Sequence, residues 1–177
     1  MTHPKITGNK GRQFDAHAAG LIALIIDKDE RFLMLSSPDR GGKWEPVNGA
    51  YDGGETVLDG FLREIREEAG EDVRVRPISN VHTYNFRYDD VIPHMISITF
   101  LFEYLGGDVV PGDDMTGSAV KWMTLEEIQN GTYPVIVPRS NEHWLYERAV
   151  KFYLLLKDEP PVELQPDYTN VKNKYGE

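Results

Sequence analysis

The chain has 177 residues, a formal net charge of −10, 40% apolar and 27% charged residues, and no cysteine. This length and balance describe one ordinary globular domain, long enough to bury a proper core. The lack of thiols excludes disulfides, thiolate metal sites and a cysteine nucleophile, and the acidic balance argues against a nucleic-acid-binding surface.

Residues 1–13 are polar with Gly and Pro, which predicts a loosely held arm. The opening Met1-Thr2-His3-Pro4-Lys5 lacks the apolar core of a signal peptide, and no apolar run approaches the roughly 18 residues of a membrane span. The expected compartment is the cytoplasm. His17 to Ile26 is strongly apolar and reads as a strand. Asp27 to Glu30 reads as a turn, and Arg31 to Leu35 as the returning strand of a hairpin. Ser36 to Lys43 reads as loop.

Residues 49–71 carry a different signal. Thr56 and Asp59 resemble a capping box with Asp in place of Glu, and Glu55 adds negative charge where the helix dipole favours it. Val57, Leu58, Phe61, Leu62, Ile65 and Ala69 form an apolar stripe at helical spacing, and Gly70 is a stop signal. Glu64, Glu67 and Glu68 stand at i, i+3 and i+4, so a helix puts all three on one face. Their mutual repulsion weakens that helix, and a hard divalent cation on the carboxylate oxygens removes the cost. Arg63 stands four residues before Glu67 and can orient its carboxylate.

Past the helix, Val73 to Ile78 alternates weakly, and Pro77 restricts it to an edge or a strand end. His82 to Tyr88 reads as a strand. His94 to Leu105 is the longest strand-like run, with Ile96, Ile98, Phe100 and Phe102 on one face. Gly106 to Gly117 reads as a Gly- and Asp-rich loop, and Val120 to Met123 as a short strand. Thr124 is expected to cap a short helix through Ile128. Ser140 or Asn141 is expected to cap a final helix to about Lys157, buried through Leu145, Ala149, Phe152, Tyr153 and Leu156. Residues 158–177, rich in proline and charge, read as a tail. Strands interrupted by one central helix and closed by another predict an α+β fold.

The pattern G-x5-E-x7-R-E-U-x-E-E-x-G-U, with U apolar, is the Nudix box. This chain resembles it at Gly49, Glu55, Arg63, Glu64, Ile65, Glu67, Glu68 and Gly70. Glu71 departs from the apolar final position, which bears on helix-exit packing rather than on catalysis. Upstream, Pro46-Val47-Asn48-Gly49 replaces the common Pro-Gly-Gly. The resemblance covers residues 14–157, taken as the domain. It implies an α/β/α sandwich around a mixed β-sheet. It also implies a Mg2+-dependent hydrolase, with Mn2+ as a substitute. Such an enzyme cleaves a pyrophosphate bond in a nucleoside diphosphate linked to another moiety: a nucleotide, a dinucleoside polyphosphate, ADP-ribose or a nucleotide sugar.

By the same resemblance, Glu64, Glu67 and Glu68 are metal ligands, with the carbonyl of Asn48 as a fourth donor. Arg63 orients a carboxylate, and Glu55 braces the loop–helix joint or reaches the metal through water. The general base is a box glutamate or a distant acid, for which Asp113, Asp114 and Glu103 are candidates. Trp44, Tyr84, Phe86 and Tyr88 are candidates to stack on a base, and Arg40, Lys43, Arg87 and Arg139 to hold phosphates. Tyr88 falls near the position at which dinucleoside-polyphosphate members carry a tyrosine. Pro93 lies too late for the proline of ADP-ribose members. The expected partner is a small phosphorylated molecule, with no membrane or nucleic acid, and members of the family often form homodimers. A non-catalytic, nucleotide-sensing Nudix-fold domain is the alternative. An isomerase of isopentenyl diphosphate on the same scaffold normally enlists a cysteine, which this chain lacks.

Overall fold

The computed structural model describes residues 4–36, 38, 41–138 and 142–159. The expected tail beyond residue 159 therefore lies outside the described residues, as do Arg40, Arg139, Ser140 and Asn141.

The N-terminal arm is more regular than its composition predicts. β1 (Lys5–Thr7) and β2 (Gln13–Asp15) pair antiparallel, with Ile6 opposite Phe14. Lys5 bonds Asp15 at 2.8 Å, and Gly11, at φ 77°, lets the chain reverse. Both strands are exposed, Ile6 and Phe14 included, so the order comes from cross-strand pairs rather than from burial.

The main sheet runs β6-β7-β3-β4-β8, with β5 attached to β3. β3 (Ala18–Ile26) and β4 (Phe32–Ser36) form the expected hairpin. Its turn is held by Asp27, whose carboxylate accepts from the backbone of Asp29 and Arg31, each at 2.9 Å. β5 (Val47–Ala50) runs antiparallel along β3, placing Asn48 opposite Ile22 and Gly49 opposite Leu21. β7 (Met95–Gly106) runs parallel to β3 along its whole length, which makes the sheet mixed. β8 (Ala119–Met123) pairs antiparallel with β4.

The two strands expected at 73–78 and 82–88 are one edge strand, β6 (Arg74–Phe86). Pro77 is accommodated because β6 lies at the sheet edge and slips register between Pro77 and Ser79.

β3 is apolar on both sides because both sides are covered. Leu21, Ala23 and Ile25 pack with Leu33, Leu35, Phe102 and the helix residues Phe61, Ile65 and Ala69. Ile22, Leu24 and Ile26 pack on the other side with Phe32, Met34, Leu101, Ile128, Leu145, Tyr146, Ala149 and Tyr153. Burying each large apolar side chain stabilises this sandwich by about 1.5–3 kcal/mol. The helix on the first side, α1 (Val57–Glu64), starts at Thr56, whose side chain accepts from Asp59 N. Val57, expected in its stripe, is exposed. The other side carries α2 (Leu125–Gln129), with a full Thr124–Glu127 capping box, and α3 (Trp144–Leu156). His143 occupies the N-cap position of α3 and makes no side-chain cap. Among the described residues no helix is long and apolar enough to cross a membrane.

Candidate active site

The carboxylate helix is not one uniform helix. After Glu64 it widens into a π-turn, Ile65–Ala69. A π-turn closes i→i+5 bonds, so each residue advances by less than the about 100° of an α-helix. Glu68 therefore falls back in line with Glu64, while Glu67 lags and turns outward. Burial follows this geometry: Glu64 is 8% exposed and Glu68 5%, but the Glu67 side chain is 38% exposed. The expectation of three equivalent glutamates on one face gives way to two buried carboxylates and one open to solvent. The turn ends at Gly70, whose φ of 121° suits glycine. A Cβ there would also lie 2.9 Å from Val110 O. Glu71 is exposed, and Val73 is the buried residue at the helix exit, so the polar final position costs no packing.

Arg63 is the electrostatic centre of the cluster. Its Nη1 bonds Glu64 Oε1 at 2.7 Å and Glu67 Oε2 at 3.0 Å. Its Nε and Nη2 bond the two oxygens of Glu55 at 3.2 and 3.0 Å, and Nη2 also reaches Ala50 O at 2.9 Å. The hydrogen bonds from Arg63 hold the Glu55 carboxyl below its ordinary pKa. Those to Glu55, and next to Glu64, push the Arg63 guanidinium up. One cation among these carboxylates, with Glu68 alongside, leaves the cluster net negative.

β5 supplies the opposing wall. The Asn48 backbone N–H donates to Glu68 Oε2 at 2.8 Å. Gly49 lies against Glu64, and a Cβ on Gly49 would come within 2.1 Å of the carboxyl carbon. This close approach explains the box glycine without any special φ. Two buried carboxylates beside the β5 backbone form an all-oxygen donor set, which suits a hard divalent cation. Among the described residues, no three His, Asp or Glu side chains already converge as a ligand cage. Mg2+ is commonly held by only one or two carboxylates, with waters and substrate phosphates completing the shell. Glu64 and Glu68, with the Asn48 carbonyl, fit that requirement.

A cleft of about 590 Å3 opens beside Glu68. Asn48, Gly49, Ala18 to Ile22 and Met95 line it on one side. The aromatics of β6, Tyr84 and Phe86, line it with Tyr88 just beyond. These three form a ring ladder, with centroids 5.8 Å apart for Tyr84–Phe86 and 6.3 Å for Phe86–Tyr88. Ile136, Val137 and Pro138 close the far wall.

Other expected residues lie elsewhere. Trp44 does not line the cleft; it packs edge-on against Tyr133 at the α3-side core. Arg87 is exposed and pairs with Asp90, away from the cleft lining. Lys43 is exposed and also outside the lining. Glu103 points to the α3 side of the sheet, where Arg76 bonds it at 2.7 Å and Tyr153 OH at 3.3 Å. That carboxylate, with burial, raises the Tyr153 hydroxyl to about 12, burial being the larger cause. Its place is structural. Asp113 and Asp114 lie in a 3-10 turn, Asp113–Met115, on a loop that does approach the glutamates: a Cβ on Gly112 would lie 2.7 Å from Glu67 O. Sequence reasoning missed Met95, the Ile136–Pro138 wall and the fully buried Glu45. Glu45 stood between Trp44 and Pro46 with no periodic pattern to mark it.

The NUDIX domain family model matches residues 16–145 of this chain. An ADP-ribose pyrophosphatase of Methanocaldococcus jannaschii is 35% identical over 101 residues, 55% of this chain and 58% of that protein. NAD-capped RNA hydrolase NudC of Pseudomonas aeruginosa is 28% identical over 116 residues, 66% of this chain and 39% of the relative. The chain thus spans 58% and 39% of the lengths of these curated relatives. The crystal structure of an ADP-ribose pyrophosphatase from Streptococcus suis matches with a TM-score of 0.61 at 20% identity, covering 77% of this chain and 93% of that one. That match is a likeness of fold.

Proposed function

The chain belongs to the Nudix family, and on that premise we propose that it is a Mg2+-dependent pyrophosphohydrolase, acting on a nucleoside diphosphate linked to another group. The observation that carries the reading is the pair of buried carboxylates, Glu64 and Glu68, held against Asn48 and Gly49 of β5, with Glu68 on the lining of an aromatic cleft.

Mg2+ held by Glu64, Glu68 and the Asn48 carbonyl would offset phosphate charge and lower the pKa of an attacking water. Mn2+ suits the same oxygen donors. Arg63 keeps Glu64 and Glu67 in fixed orientations, and Glu55 in turn locks Arg63. Glu67, partly open to solvent and held by Arg63 through one oxygen, would take the proton of the attacking water in this reading. Water adds across the P–O–P bond, so the products are two phosphate monoesters. Tyr84, Phe86 and Tyr88 offer ring faces to a base in the cleft.

ADP-ribose is the leading substrate, because the Methanocaldococcus jannaschii relative, at 35% identity, is an ADP-ribose pyrophosphatase. The NudC relative makes a nicotinamide-capped end the second. Trp44 and Arg87 have no part in this reading. The test is a panel of ADP-ribose, NAD, NAD-capped RNA, nucleotide sugars, dinucleoside polyphosphates and nucleoside triphosphates with Mg2+ or Mn2+, products identified by mass. AMP and ribose 5-phosphate from ADP-ribose are expected. Binding without hydrolysis across the whole panel would favour a sensing domain instead.

A further inference from the structure

We propose that Glu45 is a positioning residue of this site: it holds the Asn48 side chain and thereby fixes the backbone hydrogen bond that orients Glu68. The inference rests on the reading of Glu68 as a cation ligand only for its consequence, not for its geometry.

Glu45 is 0% exposed. A buried carboxylate costs free energy unless hydrogen bonds compensate it. Its backbone is pinned by two bonds to Leu35, Leu35 N to Glu45 O at 2.8 Å and Glu45 N to Leu35 O at 2.9 Å, so its side chain starts from a fixed base. From there Oε2 accepts from Asn48 Nδ2 at 3.1 Å, and Nδ2 also donates to Pro46 O at 2.9 Å. Both amide hydrogens of Asn48 are thus used in tying its side chain back to the segment that leads into β5. Its backbone N–H is left facing Glu68 Oε2 at 2.8 Å. A glycine before Gly49, as in the common Pro-Gly-Gly form, would leave this part of β5 without a side-chain tether. Here Asn48 replaces that freedom with two hydrogen bonds, and Glu45 is the charged half of the tether.

The second wall of the cleft is held by Tyr146. Tyr146 is fully buried and donates to Val137 O at 2.7 Å, holding a residue that lines the cleft. Burial, and after it the Glu45 charge, pushes the Tyr146 hydroxyl pKa up, so the hydroxyl stays a donor.

The experiment follows the Asn48 amide by NMR hydrogen exchange in metal-free protein, and Mn2+ affinity by calorimetry, in wild type, Glu45→Gln, Glu45→Leu, Asn48→Ala and the double variant Glu45→Leu/Asn48→Ala. Removing a partner that orients a ligand is expected to weaken Mn2+ binding by about 10–100-fold. Glu45→Leu should lose that much and expose the Asn48 amide to exchange. Glu45→Gln keeps an oxygen acceptor for Asn48 and should preserve the protection. The double variant should bind no more than about twofold worse than Asn48→Ala alone, since coupled sites are non-additive. Asn48 protection unchanged in Glu45→Leu, or strictly additive losses, overturns the proposal. Should Glu45→Leu fail to fold, Asn48→Ala and Glu45→Gln still decide it. Glu45→Gln with Asn48 protection lost overturns the tether. Protection that follows the pattern in a protein that binds no Mn2+ supports the tether and overturns the metal reading instead.

Discussion

Gly49 faces the Glu64 carboxylate so closely that a methyl group on its Cα would lie 2.1 Å from the carboxyl carbon. Gly49→Ala must therefore displace Glu64 or open β5 from the helix. Turnover and Mn2+ affinity are both expected to fall by at least about tenfold, the scale seen when a ligand's orientation is lost. Gly53, in the loop that follows β5, has no atom within 4 Å of its Cβ position and no positive φ. Gly53→Ala should change either quantity by less than about twofold, since nothing that orients a ligand is disturbed. Equal effects from both substitutions would count against the close approach as the reason for the glycine.

Glu55 titrates below its ordinary value of 4.5 because Arg63 bonds both its oxygens. A depressed carboxylate pKa stabilises the fold above the unfolded value and loses that contribution as pH falls through the folded one. In metal-free protein, Glu55→Gln should therefore be less stable than wild type above about pH 5.5, with the gap closing as pH drops below about 4.5. Denaturant midpoints across that range measure it. A gap that widens on acidification would contradict the assignment.

The ring ladder gives a prediction for binding rather than chemistry. Phe86 lies between Tyr84 and Tyr88 in the cleft. Base–aromatic stacking is worth about 1–3 kcal/mol per base, so Phe86→Ala should raise KM by roughly tenfold while kcat changes less. Trp44→Phe should leave KM unaltered, because Trp44 packs against Tyr133 outside the cleft. Steady-state kinetics on the best substrate separates the two.

Much of this architecture was legible in the residues. The apolar run from His17 to Ile26 announced a strand, and Thr56 with Gly70 bracketed the carboxylate helix. The glutamate spacing pointed to one charged face, but the π-turn that divides Glu67 from its neighbours has no local signature and depends on tertiary packing. The continuity of β6 through Pro77 was hidden because it requires an edge position and a register slip, both properties of the assembled sheet. An aromatic residue reads alike whether it packs or stacks, which is why Trp44 and Phe86 looked equivalent. Glu103 looked like a free acid until Arg76 and Tyr153 met it across the fold. Glu45 reads as a loop charge, and only the tertiary structure shows it enclosed beside Asn48.

Glu68 unites the features of the proposed chemistry: burial, a backbone anchor at Asn48 and a place on the cleft lining. The decisive measurement is ADP-ribose turnover against Mg2+ concentration in wild type and Glu68→Gln, with the fold of each checked by circular dichroism. Wild type should require Mg2+, and Glu68→Gln should keep its fold while turnover falls by orders of magnitude, on the order of 10²-fold or more, as for loss of a metal ligand's charge. Near wild-type, metal-independent turnover in Glu68→Gln would contradict the site and the chemistry assigned to it.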